Sequence, residues 1–155
     1  MSDKIEIRPS SVDTFLQCAH QWYRVFIGGG ISIPNSRAAI GTAIHAGVEE
    51  MWKDSISFKQ KVTAKSSMQD AAMEAFNEEQ QKGLVYDAGE SDSTCEKEIV
   101  AGLDVYVEDV VPWVEIPTAV EQRYTVNISG HPVVSGIAGT LDYINVDNGV
   151  ISDVV

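Results

Sequence analysis

Apolar residues recur every three or four positions in four stretches of the chain, a spacing that is typical of amphipathic helices. The first helix is predicted to follow Pro9, with Ser10 or Ser11 as its cap and Asp13 completing a capping box. The glycines of residues 28–30 are predicted to end it. Three further helices are predicted at about residues 36–53, 67–82 and 93–112.

The second predicted helix carries two neighbouring stripes, because residues three and four apart lie side by side on a helix. His45, Glu49 and Trp52 form one stripe. Gly41 and Gly47 each disfavour a helix by about 1 kcal/mol relative to alanine, so we expect another backbone to pack closely against both. The other stripe is apolar and consists of Ile40, Ile44, Val48 and Met51.

After residue 118 the pattern changes to that of strands, predicted at about residues 119–128, 133–146 and 150–155, with a brief strand at residues 5–7. Asn148-Gly149 between the last two strands favours a tight hairpin, because a type I′ turn needs positive φ at both central positions. The predicted fold is α/β, with N-terminal helices followed by an antiparallel or mixed sheet.

Each strand of the closing hairpin carries one acidic residue in an apolar run, Asp142 and Asp153. Alternation along the strand places Leu141 and Tyr143 on the face opposite Asp142. Two carboxylates on neighbouring buried strands are costly unless something pairs with them, and a divalent cation is the usual partner. Two solvated surface aspartates are the alternative. His45 on the second helix could complete a mixed nitrogen and oxygen site.

The chain has 155 residues, which fits one domain, and we predict a single domain over 1–155. Its net charge is −12, which argues against nucleic-acid binding through a broad basic face, so any grip on DNA must be local or metal-mediated. No apolar stretch approaches the length of a membrane span, and the N-terminus lacks the pattern of a signal peptide. With two cysteines and no disulfide framework, we expect a cytoplasmic protein.

Three stretches together resemble the RecB-type exonuclease branch of the PD-(D/E)XK nuclease superfamily. Residues 11–23 are similar to the first helix of that branch, and residues 41–49 read Gly-Thr-Ala-Ile-His-Ala-Gly-Val-Glu, similar to its Gly-Thr-x-x-His-x-x-x-Glu motif. Residues 139–142 and 151–153 resemble its Gly-x-x-Asp and Asp-x-Lys strands. The resemblance implies a restriction-endonuclease-like core and a metal-dependent DNA nuclease of bacterial or phage origin.

The resemblance also implies roles for matching residues. His45, Asp142, Asp153 and the backbone carbonyl of Val154 would bind Mg²⁺ or Mn²⁺, the imidazole favouring Mn²⁺. Two glutamates would assist catalysis. Glu49 would orient the histidine or a water, and Glu121 falls where the branch often has a glutamate.

One position departs from the family pattern. Valine stands at Val155, where the Asp-x-Lys motif has its lysine, and the following helix of the family is not in the sequence. Either valine replaces the lysine, or the lysine lies beyond the end of this sequence. We therefore expect the C-terminal part of the core to be missing and this chain to cleave DNA poorly. Because a terminal apolar strand is an exposed edge, a partner protein covering it is a second possibility, and a complete small domain with a frayed end is a third.

Other residues are ambiguous. Cys18 matches a cysteine that holds an iron–sulfur cluster in some members of the branch, but a cluster needs four thiolates, so a buried core cysteine is the better interpretation. The aromatic residues Trp22, Tyr23, Trp52 and Trp113 could stack on bases, although core packing is the better interpretation for Tyr23. The basic residues nearest the presumed site are too scattered to form a DNA track: Arg8, Arg24, Arg37 and Lys53.

Three functions remain open from the sequence. The first is a DNA exonuclease that uses a divalent metal. The second is a module that retains the nuclease fold without catalysis and binds DNA or protein. The third is an acidic mimic of DNA, supported only by the net charge.

Overall fold

The computed structural model describes residues 5–30, 33–147 and 150–153, with the backbone alone described at residues 10, 147 and 150–153. Two short π-helical segments, Tyr23–Ile27 and Tyr106–Val110, continue the second and fifth helices. The helices are α1 (Pro9–Gln17), α2 (Ala19–Trp22), α3 (Ser36–Phe58), α4 (Lys65–Gln81) and α5 (Asp92–Val105). The strands are β1 (Ile5–Ile7), β2 (Ala119–Asn127), β3 (Val134–Asp147) and β4 (Val150–Asp153).

The four described strands form one mixed sheet in which β3 pairs with each of the others. β1 runs parallel to β3, with Ile7 opposite Ile137, and β4 runs antiparallel to it, with Asp147 opposite Val150. That register leaves Asn148 and Gly149 between the strands, as the hairpin prediction requires; both lie outside the described residues. The predicted mixed α/β architecture is therefore confirmed.

The chain divides into two compact units, and the prediction of a single domain over 1–155 stays a prediction. The first unit comprises Met1–Ser32 and Glu121–Asp142, and the second comprises Ile33–Val120 and Tyr143–Val155.

In the first unit, the predicted cap of the first helix is wrong. Arg8 occupies the N-cap position with an extended backbone and no side-chain cap, and Pro9 is the first helical residue, where its missing N–H costs nothing. Ser11 lies inside the first turn, and its hydroxyl donates a hydrogen bond to the Arg8 carbonyl at 2.7 Å.

The same helix is also interrupted, which the periodicity does not predict. Cys18 has an extended backbone, with φ −156° and ψ 100°, and separates α1 from α2. Its sulfur accepts a hydrogen bond from the Gln21 N–H at 3.4 Å, so Cys18 caps the second segment. The apolar residues keep their helical spacing on both sides of this break because the chain becomes helical again after one residue.

In the second unit, α3, α4 and α5 pack together around a buried core. Gly47 allows the close approach of α4, because a Cβ atom at this position would lie 2.7 Å from the Met68 carbonyl oxygen. Nothing lies within 4 Å of a Cβ placed at Gly41, so the expectation of close packing is correct for Gly47 and wrong for Gly41. The core residues include Ala43, Met51, Trp52, Met68, Phe76, Ile99, Leu103 and Tyr143.

The two long helices that follow α3 begin close to their predicted positions. α5 starts with a capping box in which the Ser91 hydroxyl accepts from the Thr94 N–H and Thr94 Oγ1 accepts from the Ser91 N–H. α4 ends before Gly83, whose φ of 88° is readily adopted only by glycine.

Candidate metal centre

Two neighbouring strands of the first unit each contribute one carboxylate to a close pair. Glu121 lies on β2 and Asp142 on β3, and one oxygen atom of each lies within 4.8 Å of the other. Two like charges at this separation repel each other unless a cation or a proton lies between them. The strand pairing therefore places two carboxylate oxygens close enough together to share one hard divalent cation.

The backbone at Glu121 is unusual. Its φ is 51°, and Lys59 is the other non-glycine residue with positive φ in the described part of the chain. A left-handed conformation of this kind costs an L-residue about 1–2 kcal/mol and, within a strand, changes the direction of the side chain. Atom Oε1 of Glu121 is buried. The strain therefore occurs at a position where the carboxylate is directed into the protein.

Asp142 follows the alternation that its strand predicts. Its side chain is exposed, whereas the next residue, Tyr143, is 7% exposed and contributes to the core of the second unit. The Tyr143 hydroxyl donates a hydrogen bond to the Glu115 carbonyl at 2.6 Å. Burial raises the pKa of Tyr143, and Glu115 and Tyr106 raise it further. A fixed side chain thus follows directly after the exposed carboxylate.

The remaining helical residues of the predicted site lie in the second unit. His45 is on α3 with an exposed side chain. Glu49 is one turn further along, and its carboxylate forms an ion pair of 2.6 Å with Lys53. The part that His45 and Glu49 take in a metal site stays a prediction.

The remaining predicted metal ligands are Asp153 and the backbone carbonyl of Val154. The backbone of Asp153 pairs with Ile144, two residues after Asp142 on β3, and nothing is described of the Asp153 side chain. Val154 and Val155 lie outside the described residues. The paired strands of the hairpin agree with the sequence, while the ligand roles of these residues stay predictions.

On the strands that carry Glu121 and Asp142, the first unit has a cleft of about 360 Å³ that is lined by two arginines. Arg8 reaches it from the N-terminus of α1, and Arg123 reaches it from β2, two residues after Glu121. Arg123 also forms an ion pair with Glu6 on β1. The other residues of the cleft are Pro9, Ala138, Gly139 and Thr140.

Of these two arginines, the sequence singled out Arg8 and missed Arg123. Arg8 was one of four scattered basic residues; of the others, Arg37 binds Glu90 and Glu98, each at 2.6 Å, and Lys53 binds Glu49. The position of Arg123 two residues after Glu121 on one strand was the available indication.

Two expectations about side-chain burial are wrong. Cys18 is exposed rather than a core residue, because it occupies the break between two helical segments, whereas Cys95 is buried. Tyr23 is 58% exposed rather than packed in a core. Its neighbour Trp22 instead packs between Phe15 and Phe26, with ring centroids 5.5 and 6.1 Å away.

The other two tryptophans differ in accessibility. Trp52 is 2% exposed and therefore has no face on which a base could stack, whereas Trp113 is 86% exposed.

The donor chemistry of the carboxylate pair fits the divalent metal that the resemblance implies. Oxygen donors are what Mg²⁺ and Mn²⁺ prefer, and Glu121 and Asp142 would supply them from two paired strands. Protein carboxylates commonly provide only part of such a coordination sphere, with water and substrate oxygens completing it.

The family model for the PD-(D/E)XK nuclease superfamily matches residues 6–154 of this sequence. The chain therefore belongs to the PD-(D/E)XK nuclease superfamily, whose members use divalent metals, and its mixed α/β architecture agrees with a restriction-endonuclease-like fold. Searches of curated proteins and of solved structures give no significant match. Among the described residues, no helix is both long and apolar enough to cross a membrane.

Proposed function

We propose that the chain is a RecB-type exonuclease domain that hydrolyses DNA phosphodiester bonds with the help of Mg²⁺ or Mn²⁺. The observation that carries this proposal is the pair formed by Glu121 and Asp142, because Asp142 ends the Gly-x-x-Asp motif and Glu121 faces it from the neighbouring strand. Membership of the nuclease superfamily supports the same chemistry. A bacterial cell, or the cytoplasm of a host infected by phage, is the proposed location.

The residues that would hold the metal are His45, Asp142, Asp153 and the carbonyl of Val154. When bound, the metal would lower the pKa of a water molecule and offset charge on the attacked phosphate. Asp142 would present its carboxylate from β3, the strand that pairs with β2 and so with the strand of Glu121. Glu121, through its buried oxygen, would act as a further ligand or accept a proton from the attacking water.

Glu49 is proposed to act through the histidine. It lies one helical turn after His45 on α3, close enough along the helix to orient the imidazole or a water beside it. Its ion pair of 2.6 Å with Lys53 restricts the rotamers of the carboxylate.

Val155 favours a second candidate function, a module that retains the fold and binds DNA or protein without cleaving DNA. A valine can neither orient a water molecule nor stabilise a developing negative charge. We therefore propose that this chain binds metal but hydrolyses DNA slowly. A partner protein that covers the last strand belongs to this second candidate.

Metal binding provides the first test. Isothermal calorimetry with Mn²⁺ should detect binding to the wild-type chain and at least a tenfold weaker affinity for Asp142→Asn and Glu121→Gln, since each substitution removes a charged ligand. Asp104→Asn is the matched control, because Asp104 forms an ion pair with Lys65 on the surface of the second unit. No binding by the wild-type chain would contradict the proposal and favour the acidic DNA mimic.

Cleavage provides the second test. Single-stranded DNA should be degraded slowly with Mn²⁺, and Val155→Lys should increase the rate by at least tenfold if the missing lysine limits the reaction. Rapid cleavage by the wild-type chain would show that the valine is tolerated. If the wild-type chain and Val155→Lys both bind metal and neither cleaves DNA, the second candidate function is favoured.

A further inference from the structure

We infer that the cleft between Arg8 and Arg123 binds phosphate groups of a DNA strand and places that strand beside Glu121 and Asp142. The inference deepens the proposed function and depends on it for the identity of the ligand as DNA. The cleft would supply local positive charge for DNA binding, which the negatively charged chain as a whole does not provide.

The composition of the cleft matches a phosphate ligand. Arg8 and Arg123 come from different elements, the start of α1 and the middle of β2, and meet in a cavity of about 360 Å³. A guanidinium is always charged, and its planar donors match two phosphate oxygens at once. The small residues Ala138, Gly139 and Thr140 along β3 leave room for a ligand, and the Thr140 hydroxyl adds a further donor.

The position of the cleft relates it to the carboxylate pair. Thr140 precedes Asp142 by two residues on β3, and alternate residues of a strand lie on the same side, about 6.5 Å apart. Arg123 follows Glu121 by two residues on β2. A separation of this size is similar to the step between neighbouring phosphates of an extended strand. A phosphate held by the arginines would thus lie one nucleotide from the phosphate at the carboxylates.

Because the net charge of the chain is negative, DNA binding requires a local cluster of positive groups. With a net charge of −12, the protein repels a polyanion at long range, so binding needs a place where positive groups converge. Glu6 on β1 already neutralises part of the charge of Arg123 through their ion pair. A phosphate would compete with the Glu6 carboxylate for the same guanidinium.

The test measures binding without chemistry. Fluorescence anisotropy of a labelled oligothymidylate at low salt in EDTA should show binding by the wild-type chain, weakened roughly tenfold or more in Arg8→Gln and Arg123→Gln, because each loses a charged hydrogen-bond donor. The slope of log affinity against log salt concentration should also fall by about 0.7 for each phosphate that the variant no longer neutralises. Arg24→Gln is the matched control, an exposed arginine of the same unit outside the cleft.

Glu6→Gln distinguishes binding from a purely structural role of the ion pair. If Arg123 binds phosphate, removing the competing carboxylate should strengthen DNA binding severalfold. If the pair only holds β1 to β2, Glu6→Gln and Arg123→Gln should weaken binding to the same extent, which would overturn the inference. Circular dichroism on each variant identifies any loss of fold.

Two oligonucleotides, with and without a 5′ phosphate, distinguish a terminal phosphate from an internal one. Either result supports the cleft as a phosphate site if the arginine variants lose the binding. Equal affinity of Arg8→Gln, Arg24→Gln and wild type, or no binding by the wild-type chain, would overturn the inference. Arginine-dependent binding with no metal binding would instead retain the cleft and reject the proposed nuclease.

Discussion

The indole of Trp52 meets the phenol ring of Tyr143 edge to face, with ring centroids 5.9 Å apart and an interplanar angle of 78°. Both side chains are buried, and the Trp52 Nε1–H donates a hydrogen bond to the Tyr106 hydroxyl at 3.0 Å. The contact joins helix α3 to strand β3 inside the second unit. In sequence, Tyr143 directly follows Asp142, the candidate metal ligand.

Two substitutions at Tyr143 separate the contribution of its hydroxyl group to stability from the contribution of its ring. Tyr143→Phe keeps the ring and removes the hydroxyl that donates to Glu115, so we expect the free energy of unfolding to fall by about 1 kcal/mol. Tyr143→Ala also removes the ring and should cost about 3–5 kcal/mol. Urea denaturation monitored by tryptophan fluorescence measures both, and equal effects of the two variants would show that the ring contributes nothing.

Two glycines of α3 should respond in opposite directions to substitution by alanine. Gly47→Ala inserts a methyl group 2.7 Å from the Met68 carbonyl oxygen and 2.9 Å from Leu103 Cδ2, and overpacking of this kind costs about 1–3 kcal/mol. Gly41→Ala meets nothing within 4 Å and should gain about 1 kcal/mol from helix propensity. Thermal unfolding of the pair should therefore give melting temperatures on opposite sides of the wild-type value. A shift in the same direction would show that α4 does not approach Gly47 so closely.

The strained backbone at Glu121 predicts a difference between two variants that both remove its carboxylate. Glycine adopts a φ of 51° without penalty, whereas alanine retains the strain, so Glu121→Gly should be more stable than Glu121→Ala by about 1 kcal/mol. Both should lose the same amount of Mn²⁺ affinity. An alanine variant as stable as the glycine variant would mean that the backbone relaxes when the side chain is removed.

Glu90 predicts a dependence of stability on pH. Its pKa is lowered mainly because the buried Ser36 hydroxyl donates to it, with further contributions from the Asp87 N–H and from Arg37, while desolvation opposes the shift. Because the folded-state pKa lies below the ordinary value of 4.5, the stabilisation is complete above that value and is lost as the pH falls through the lowered pKa.

The measurement is the melting temperature of wild type and Glu90→Gln across that range. The difference between them should be constant near neutral pH and should disappear in acid. Ser36→Ala removes the principal donor and should reduce the same pH-dependent difference. A difference that persists unchanged in acid would show that the carboxylate contributes through packing and not through its charge.

The helices and strands could be predicted because their signals are local. The glycine at Gly83 lies beside the helix end that it defines. The start of α5 was predicted at Ser93 or Thr94, two or three residues after the Ser91 that caps the helix in the structure. The stripe containing Trp52 followed from helical spacing alone, whereas its tertiary contacts are with Tyr106 and Tyr143, which are distant in sequence. Helix ends and helix faces of this kind can be predicted from residues within one or two helical turns.

The features that the sequence did not predict depend on distant parts of the chain. Nothing near Glu121 in sequence demands a left-handed backbone, because such strain persists only where the surrounding structure maintains it, here in an edge strand that pairs with β3. The break at Cys18 interrupts a perfectly periodic apolar pattern. The meeting of Arg8 with Arg123 requires β1 to pair parallel with β3, a contact across most of the sequence.

The same break gives the protein one thiol that reagents can address selectively. Cys18 is exposed between α1 and α2, whereas Cys95 is buried, and burial is the main reason why its pKa is raised. Since the thiolate is the reactive species, a maleimide dye should attach at Cys18 while Cys95 stays unmodified, without any engineered cysteine. A fluorophore there would sit in the same compact unit as the arginine cleft, with the native sequence left unchanged.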